Sequence, residues 1–191
     1  KDHENMRNCF VRLKTVLALG ATCLFASPAE LHAAASPKQP NVVVILVDDM
    51  GYGDLAVHGN PHLKTPQLDK FAREAVEFTQ FHVSPVCAPT RASLLTGRYN
   101  FRPGIADVFG PAANMDPKEV TLAQVLREKG YATGLFGKWH LGDARTGPKH
   151  HGFDESLTFQ GATLRGGYFD PSLVHNGKTQ KRQGYCMDIF T

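Results

Sequence analysis

Three short stretches carry side chains whose types and spacing could do chemistry. In Asp48-Asp49-Met50-Gly51, two carboxylates follow a run of apolar residues directly. Adjacent carboxylates there are costly unless a positive charge sits between them, and a hard divalent cation with oxygen ligands meets that need. The plainer reading is that one Asp caps a turn while the other faces water. Gly51-Tyr52-Gly53 lacks the third glycine of a dinucleotide fingerprint and reads as turn chemistry. In Cys87-Ala-Pro-Thr-Arg91 a sulfur side chain stands at an expected helix start, where backbone N–H groups and the helix dipole favour an anion. Arg91 follows about one turn later and projects to the same side, and its planar fork suits a tetrahedral oxyanion. The plainer alternative is a structural thiol, paired with Cys186 as a disulfide. In Lys138-Trp139-His140, residues two apart at a strand end can point the same way. Lys138 would bring positive charge to a bound anion, and His140 could transfer protons near neutral pH. A surface lysine and a histidine packed beside Trp139 remain the alternative. His82, His150 and His151 read as surface or core-edge residues rather than ligands.

These stretches need elements to position them. Residues 42–47 are continuously apolar, without the alternation of a half-exposed strand, and predict a strand buried on both faces. Thr65-Pro66 predicts a helix start, with Leu68, Phe71, Ala72 and Ala75 as its apolar face. Residues 77–82 predict a second strand, and residues 88–96 a helix stopped by Gly97. Thr121 and Gln124 form a capping box whose helix carries Leu122, Val125 and Leu126 as a buried stripe. Residues 131–136 predict a third strand, and from Lys149 onward the pattern weakens into Gly-rich loops. This order predicts an α/β chain with a mainly parallel sheet flanked by helices. In such sheets ligands bind beyond the carboxyl ends of the strands, where all three polar stretches would fall.

Composition narrows the classes. Of the 191 residues, 42% are hydrophobic and 20% charged, which is globular usage and excludes collagen, coiled coil and wholesale disorder. No run of 18 apolar residues predicts a membrane span. A net charge of +3 without a basic stripe gives no sign of a nucleic-acid partner; the longest basic run, Lys181-Arg182, reads as a solvated loop. Residues 1–35 read as a few upstream residues and a secretory signal: Arg7, Arg12 and Lys14 precede a short apolar stretch, and Ala33-Ala34-Ala35 offers a small-residue cleavage pattern. A periplasmic or extracellular location follows; a lipoprotein anchored through Cys23 fits poorly with Gly20-Ala21-Thr22 before it.

The anchors Asn41-Val-Val-Val-Ile-Leu-Val-Asp-Asp-Met-Gly-Tyr-Gly-Asp54, Cys87-Ala-Pro-Thr-Arg-Ala-Ser-Leu-Leu-Thr-Gly-Arg98 and Gly130-Tyr-Ala-Thr-Gly-Leu-Phe-Gly-Lys-Trp-His-Leu-Gly142 occur in that order. Together they resemble the amino-terminal part of formylglycine-dependent type I sulfatases, of the alkaline phosphatase superfamily. The middle anchor is similar to that family's Cys-x-Pro-x-Arg modification signature. The resemblance implies an alkaline phosphatase-like fold for residues 36–191, read as the amino-terminal part of a longer catalytic domain. It also implies that a formylglycine-generating or other sulfatase-maturating enzyme converts Cys87 to formylglycine, which excludes a disulfide to Cys186. One hydroxyl of the hydrated aldehyde would attack the sulfur of a sulfate ester; the other would then expel sulfate. By the same resemblance, Asp48, Asp49 and the modified Cys87 bind calcium, Arg91 holds the diol, Lys138 contacts sulfate, and His140 assists sulfate release.

The family's remaining metal ligands, an Asp-Asn pair, and its further His and Lys cannot be placed in this sequence. The expectation is therefore a fragment, with residues 36–191 alone hydrolysing no sulfate ester. The implied substrate is a sulfated small molecule or carbohydrate. The competing readings are a phosphodiester or phosphonate monoester hydrolase of the same superfamily, a non-catalytic exported binding module, and a cysteine hydrolase using Cys87 and His140.

Overall fold

The computed structural model describes residues 39–191, apart from 144, 160 and 165; the leader lies outside the described residues. The chain divides into residues 1–45 and 46–191. Of the first unit, residues 39–45 have no regular secondary structure and are exposed.

Within the second unit, helix α1 spans Pro66–Glu74 with proline in its first turn. Thr65 precedes it as expected, but its hydroxyl does not cap the helix. It donates to Asp69 Oδ1 at 2.8 Å and accepts from the Ala56 amide at 3.0 Å. The expected apolar face is not buried: Leu68 and Phe71 stand exposed. Helix α2 spans Cys87–Thr96 and ends at Gly97, whose φ of 66° is the left-handed conformation that glycine adopts without penalty. Helix α3, Leu122–Glu128, starts with the expected capping box, Thr121 N–H donating to Gln124 Oε1 at 2.8 Å.

Helix α3 does not bury the expected stripe. Ala123 is its buried residue, whereas Leu122 and Val125 are exposed and line an open apolar groove with Leu94 and Leu95. Ala123 instead joins the main core, and the helix start lies close against the chain at Gly152, where a Cβ would come within 2.5 Å of the Gln124 amide nitrogen.

Four strands form one sheet in the order β1-β2-β3-β4. Strand β1 (Gly134–Lys138) pairs in parallel with β2 (Glu155–Phe159). Strands β3 (Ser172–His175) and β4 (Lys178–Lys181) follow antiparallel. The described sheet is thus mixed, with its one parallel pair at the end that carries Lys138. The hairpin turn is Asn176-Gly177, both at positive φ as a two-residue turn demands. The region expected as Gly-rich loops therefore holds three strands and a short helix, α4 (Cys186–Phe190).

Neither residues 42–47 nor 77–82 adopt strand structure, and both stretches are exposed. An apolar run becomes a strand only where a neighbour satisfies its backbone N–H and C=O groups. Among the described residues the ladder runs through β1–β4. The main core gathers Ala88 and Ala92 of α2, Ala123 of α3, and Ile105, Ala113, Met115, Trp139, Leu141 and Phe153. Leu157, Leu164, Leu173 and Cys186 form a second cluster.

Candidate active site

Lys138 ends β1, and the chain then makes a sharp turn. His140 sits at φ 54°, a left-handed conformation that costs a non-glycine residue about 1–3 kcal/mol. Trp139 points into the core, 1% exposed. It is fixed there by its indole N–H on the Thr146 carbonyl at 3.0 Å and by the rings of His151 and Phe153. With Trp139 anchored inward, Lys138 and His140 flank it and reach the same group of residues from α2.

His140 Nε2 lies 2.8 Å from the Val108 carbonyl oxygen, and its Nδ1 lies 3.2 Å from Cys87 Sγ. A carbonyl only accepts, so Nε2 carries the proton and the neutral ring turns the Nδ1 lone pair toward position 87. Arg91 donates to the Lys138 carbonyl at 2.9 Å and to Asp48 Oδ1 at 3.1 Å. Lys138 Nζ donates to the other carboxylate oxygen, Asp48 Oδ2, at 2.7 Å. Both cations are nearly buried while Asp48 is about one-third exposed. Asp48 thus bridges two cations at the mouth of the cluster, and Cys87 and His140 lie behind it. Asp49, at φ 55°, is exposed and makes no side-chain hydrogen bond or ion pair among the described residues.

The structure therefore brings Asp48, Cys87, Arg91, Lys138 and His140 together, and Asp49 adjoins them in the chain. The disulfide alternative is not realised: Cys87 and Cys186 are both free, and Cys186 is buried in the second core cluster. The Val108 carbonyl is a functional group the sequence reading missed; it comes from a loop with no motif. His151, expected at the surface or core edge, is fully buried against Trp139.

Burial pushes His140 below its ordinary pKa, and the Lys138 and Arg91 charges push the same way, outweighing the Val108 carbonyl and Asp48. Burial also lowers His151. For Asp48, partial burial alone would raise the carboxyl. Hydrogen bonds from Lys138 and Arg91, with their charges, outweigh it and hold Asp48 below the usual carboxylate range. All three groups bind protons more readily unfolded than folded, so stability rises with pH through their range. On acidification, stability should fall first below the ordinary histidine value, and again through the carboxylate range. Half-buried His58, raised by the Tyr52 carbonyl and Glu77 against some desolvation, opposes this weakly. Urea midpoints measured from about pH 8 to about pH 4 check the expectation, and a flat profile contradicts it.

Comparison with known proteins identifies the family. The family model described as Sulfatase matches residues 40–188. The chain belongs to the sulfatase family. It is 42% identical to mouse steryl-sulfatase over 172 residues, covering 78% of this chain and 27% of that protein. It is 42% identical to dog N-acetylgalactosamine-6-sulfatase over 144 residues, covering 69% and 28%. Among solved structures, Ps i-CgsB matches with a TM-score of 0.72 and 31% identity, over 80% of this chain and 39% of that one. BT4656, in complex with D-glucosamine-2-N,6-O-disulfate, matches with a TM-score of 0.68 and 30% identity, over 80% and 29%. The alkaline phosphatase-like fold expected from the motifs is therefore the fold of this sulfatase chain. The chain spans about a quarter of the length of the curated relatives it matches. Among the described residues no helix is long and apolar enough to cross a membrane.

Proposed function

We propose that this sulfatase chain supplies the nucleophile and the cationic half of a centre that hydrolyses sulfate esters to an alcohol and sulfate. The observation that carries the proposal is the convergence of Cys87, His140, Arg91 and Lys138 on one carboxylate-bridged cluster. Formylglycine at position 87, made by a maturation enzyme, would offer in its hydrated form an oxygen nucleophile that a thiol does not. Lys138 and Arg91 stabilise the charge on the sulfuryl oxygens, preorganised by their bonds to Asp48 and to the Lys138 carbonyl. His140 has its Nε2 proton committed to Val108, so it takes or returns a proton at Nδ1, facing position 87. Its lowered pKa keeps that nitrogen free near neutral pH. The same effect disfavours the imidazolium that a Cys87–His140 hydrolase would need to hold a thiolate.

The donor chemistry fits calcium. Asp48 and Asp49 offer carboxylate oxygens, and Asp49 is unengaged among the described residues. Those residues contain no group of three or more His, Cys, Asp or Glu arranged to hold a metal. The usual six to eight oxygens would therefore need ligands from elsewhere in the protein or from solvent. Asp48, Asp49 and the oxidised residue 87 would hold the ion, which when bound would polarise the sulfate oxygens.

A sulfated carbohydrate is the substrate class we favour. The solved relative BT4656 carries a sulfated glucosamine, and the amino-terminal leader pattern fits an exported enzyme. The test compares para-nitrophenyl sulfate with bis(para-nitrophenyl) phosphate, using the complete protein produced with its maturation enzyme. Sulfate-ester turnover that EDTA abolishes and calcium restores is expected. A preference for the phosphodiester, or turnover indifferent to EDTA, contradicts the reading.

A further inference from the structure

The register of the sheet places more than Lys138 at its functional end. Strands β1 and β2 end together at Lys138 and Phe159. Because β3 and β4 run antiparallel in turn, the same end carries Ser172, at the start of β3, and its partner Lys181, at the end of β4. The hairpin continues past the strands at this end. Arg182 N–H donates to the Pro171 carbonyl, the Asp170 and Gly184 backbones bond, and Phe169 bridges to Tyr185. Three rings cluster there, Phe169 and Tyr185 at 5.1 Å and Tyr168 and Tyr185 at 6.4 Å. They are 71%, 38% and 52% exposed for Phe169, Tyr185 and Tyr168.

Lys181 and Arg182 make no ion pair among the described residues. Asp170, the adjacent acid, spends Oδ1 on the Gly184 amide at 2.8 Å. Lys178 is excluded from the patch, because it lies at the opposite end of the hairpin, opposite His175. Lys181-Arg182, which reads as a solvated loop in the sequence, is thus the end of a strand beside an exposed aromatic cluster.

Three strand spacings separate β1 from β4, about 14 Å. We propose that this hairpin end is a docking site for the continuing chain of a sulfated oligosaccharide whose scissile sulfate lies at Lys138 and His140. The inference rests on the sulfatase reading above. The chemistry matches on both counts: aromatic faces stack on the apolar faces of sugar rings, and unpaired cations meet sulfate groups further along the chain. A purely apolar occupant would leave Lys181 and Arg182 unanswered.

Phe169→Ala combined with Lys181→Ser tests this in the complete protein; Lys181→Ser combined with Arg182→Ser is the second variant, and thermal unfolding checks both. Kinetics use a sulfated carrageenan hexasaccharide, a heparin-derived hexasaccharide and para-nitrophenyl sulfate. For at least one hexasaccharide, KM should rise about 10-fold while kcat/KM for the aryl sulfate stays within about 2-fold. Equal losses on all substrates, or none, overturn the proposal, and a lowered melting temperature with unchanged substrate preference marks the patch as packing surface. Titration of wild type and variants with both hexasaccharides gives a readout independent of turnover. Wild-type binding that the variants lose supports the docking site even if no ester is cleaved, an outcome that would sink the sulfatase reading alone. Binding to neither hexasaccharide, or undiminished binding by the variants, overturns the docking site.

Discussion

Cys87→Ala should cost the complete enzyme roughly a thousandfold or more in kcat/KM on para-nitrophenyl sulfate, with little change in folding. The asymmetry follows from the position. Residue 87 is the first of helix α2, where the chain tolerates alanine, and its side chain is only partly buried. Its side-chain hydrogen bond among the described residues is the one with His140 Nδ1, and the side chain is small and only partly buried, so the substitution creates no large cavity. Chemically the change is drastic, because alanine can provide neither a thiol for conversion nor an oxygen nucleophile. Cys87→Ser is the sharper control. It restores a hydroxyl but not a hydrated aldehyde, which needs two hydroxyls on one carbon to release sulfate without water attacking sulfur. The serine variant should at most turn over once and stop, visible as a stoichiometric burst. Steady turnover by Cys87→Ser would contradict the assigned chemistry.

Asp48→Ala should lower both activity and stability. Asp48 alone answers Arg91 and Lys138 with charge among the described ion pairs. Removing it leaves two nearly buried cations side by side. Breaking a fully buried pair costs about 3–5 kcal/mol, but Asp48 is about one-third exposed, so solvent screening brings the expected loss to about 1–3 kcal/mol. Activity should fall by roughly a hundredfold or more, since the variant loses both a calcium ligand and the group that aims the two cations. Lys138→Met separates the two effects. If Asp48 acts by neutralising Lys138, the summed stability losses of the single variants exceed that of the double variant, which leaves Arg91 as the one cation of the pair without Asp48. Strict additivity in the thermal unfolding of the four proteins would contradict the coupling.

Most of the site could be read from the sequence because its members sit at element boundaries. The Cys87 helix follows from Pro89 in its first turn and Gly97 at its end, residues whose backbone preferences are strong and local. The Asp48 pairing with Arg91 and Lys138 was not legible, since partners 43 and 90 residues apart leave no periodic trace; the sequence offered only three polar clusters at the expected ends of strands, of which residues 42–47 and 77–82 form none. The Val108 carbonyl, which sets the His140 tautomer, could not be seen at all, because any residue type can supply a carbonyl. Elsewhere the failures are physical. Residues 42–47 have the composition of a buried strand, but composition does not provide a hydrogen-bonding neighbour. Leu122 and Val125 have helical spacing, but the core packs on the Ala123 side of the helix instead. The β3–β4 hairpin did carry a signal, Asn176-Gly177 between Val174 and Thr179; low hydrophobicity on an exposed edge strand hid the strands around it.

The measurement that bears most directly on the whole account is the mass of the peptide spanning residue 87, from protein purified out of its native host. The account predicts an aldehyde, or its hydrate, in place of the thiol. An intact Cys87, or one disulfide-bonded to Cys186, would contradict it.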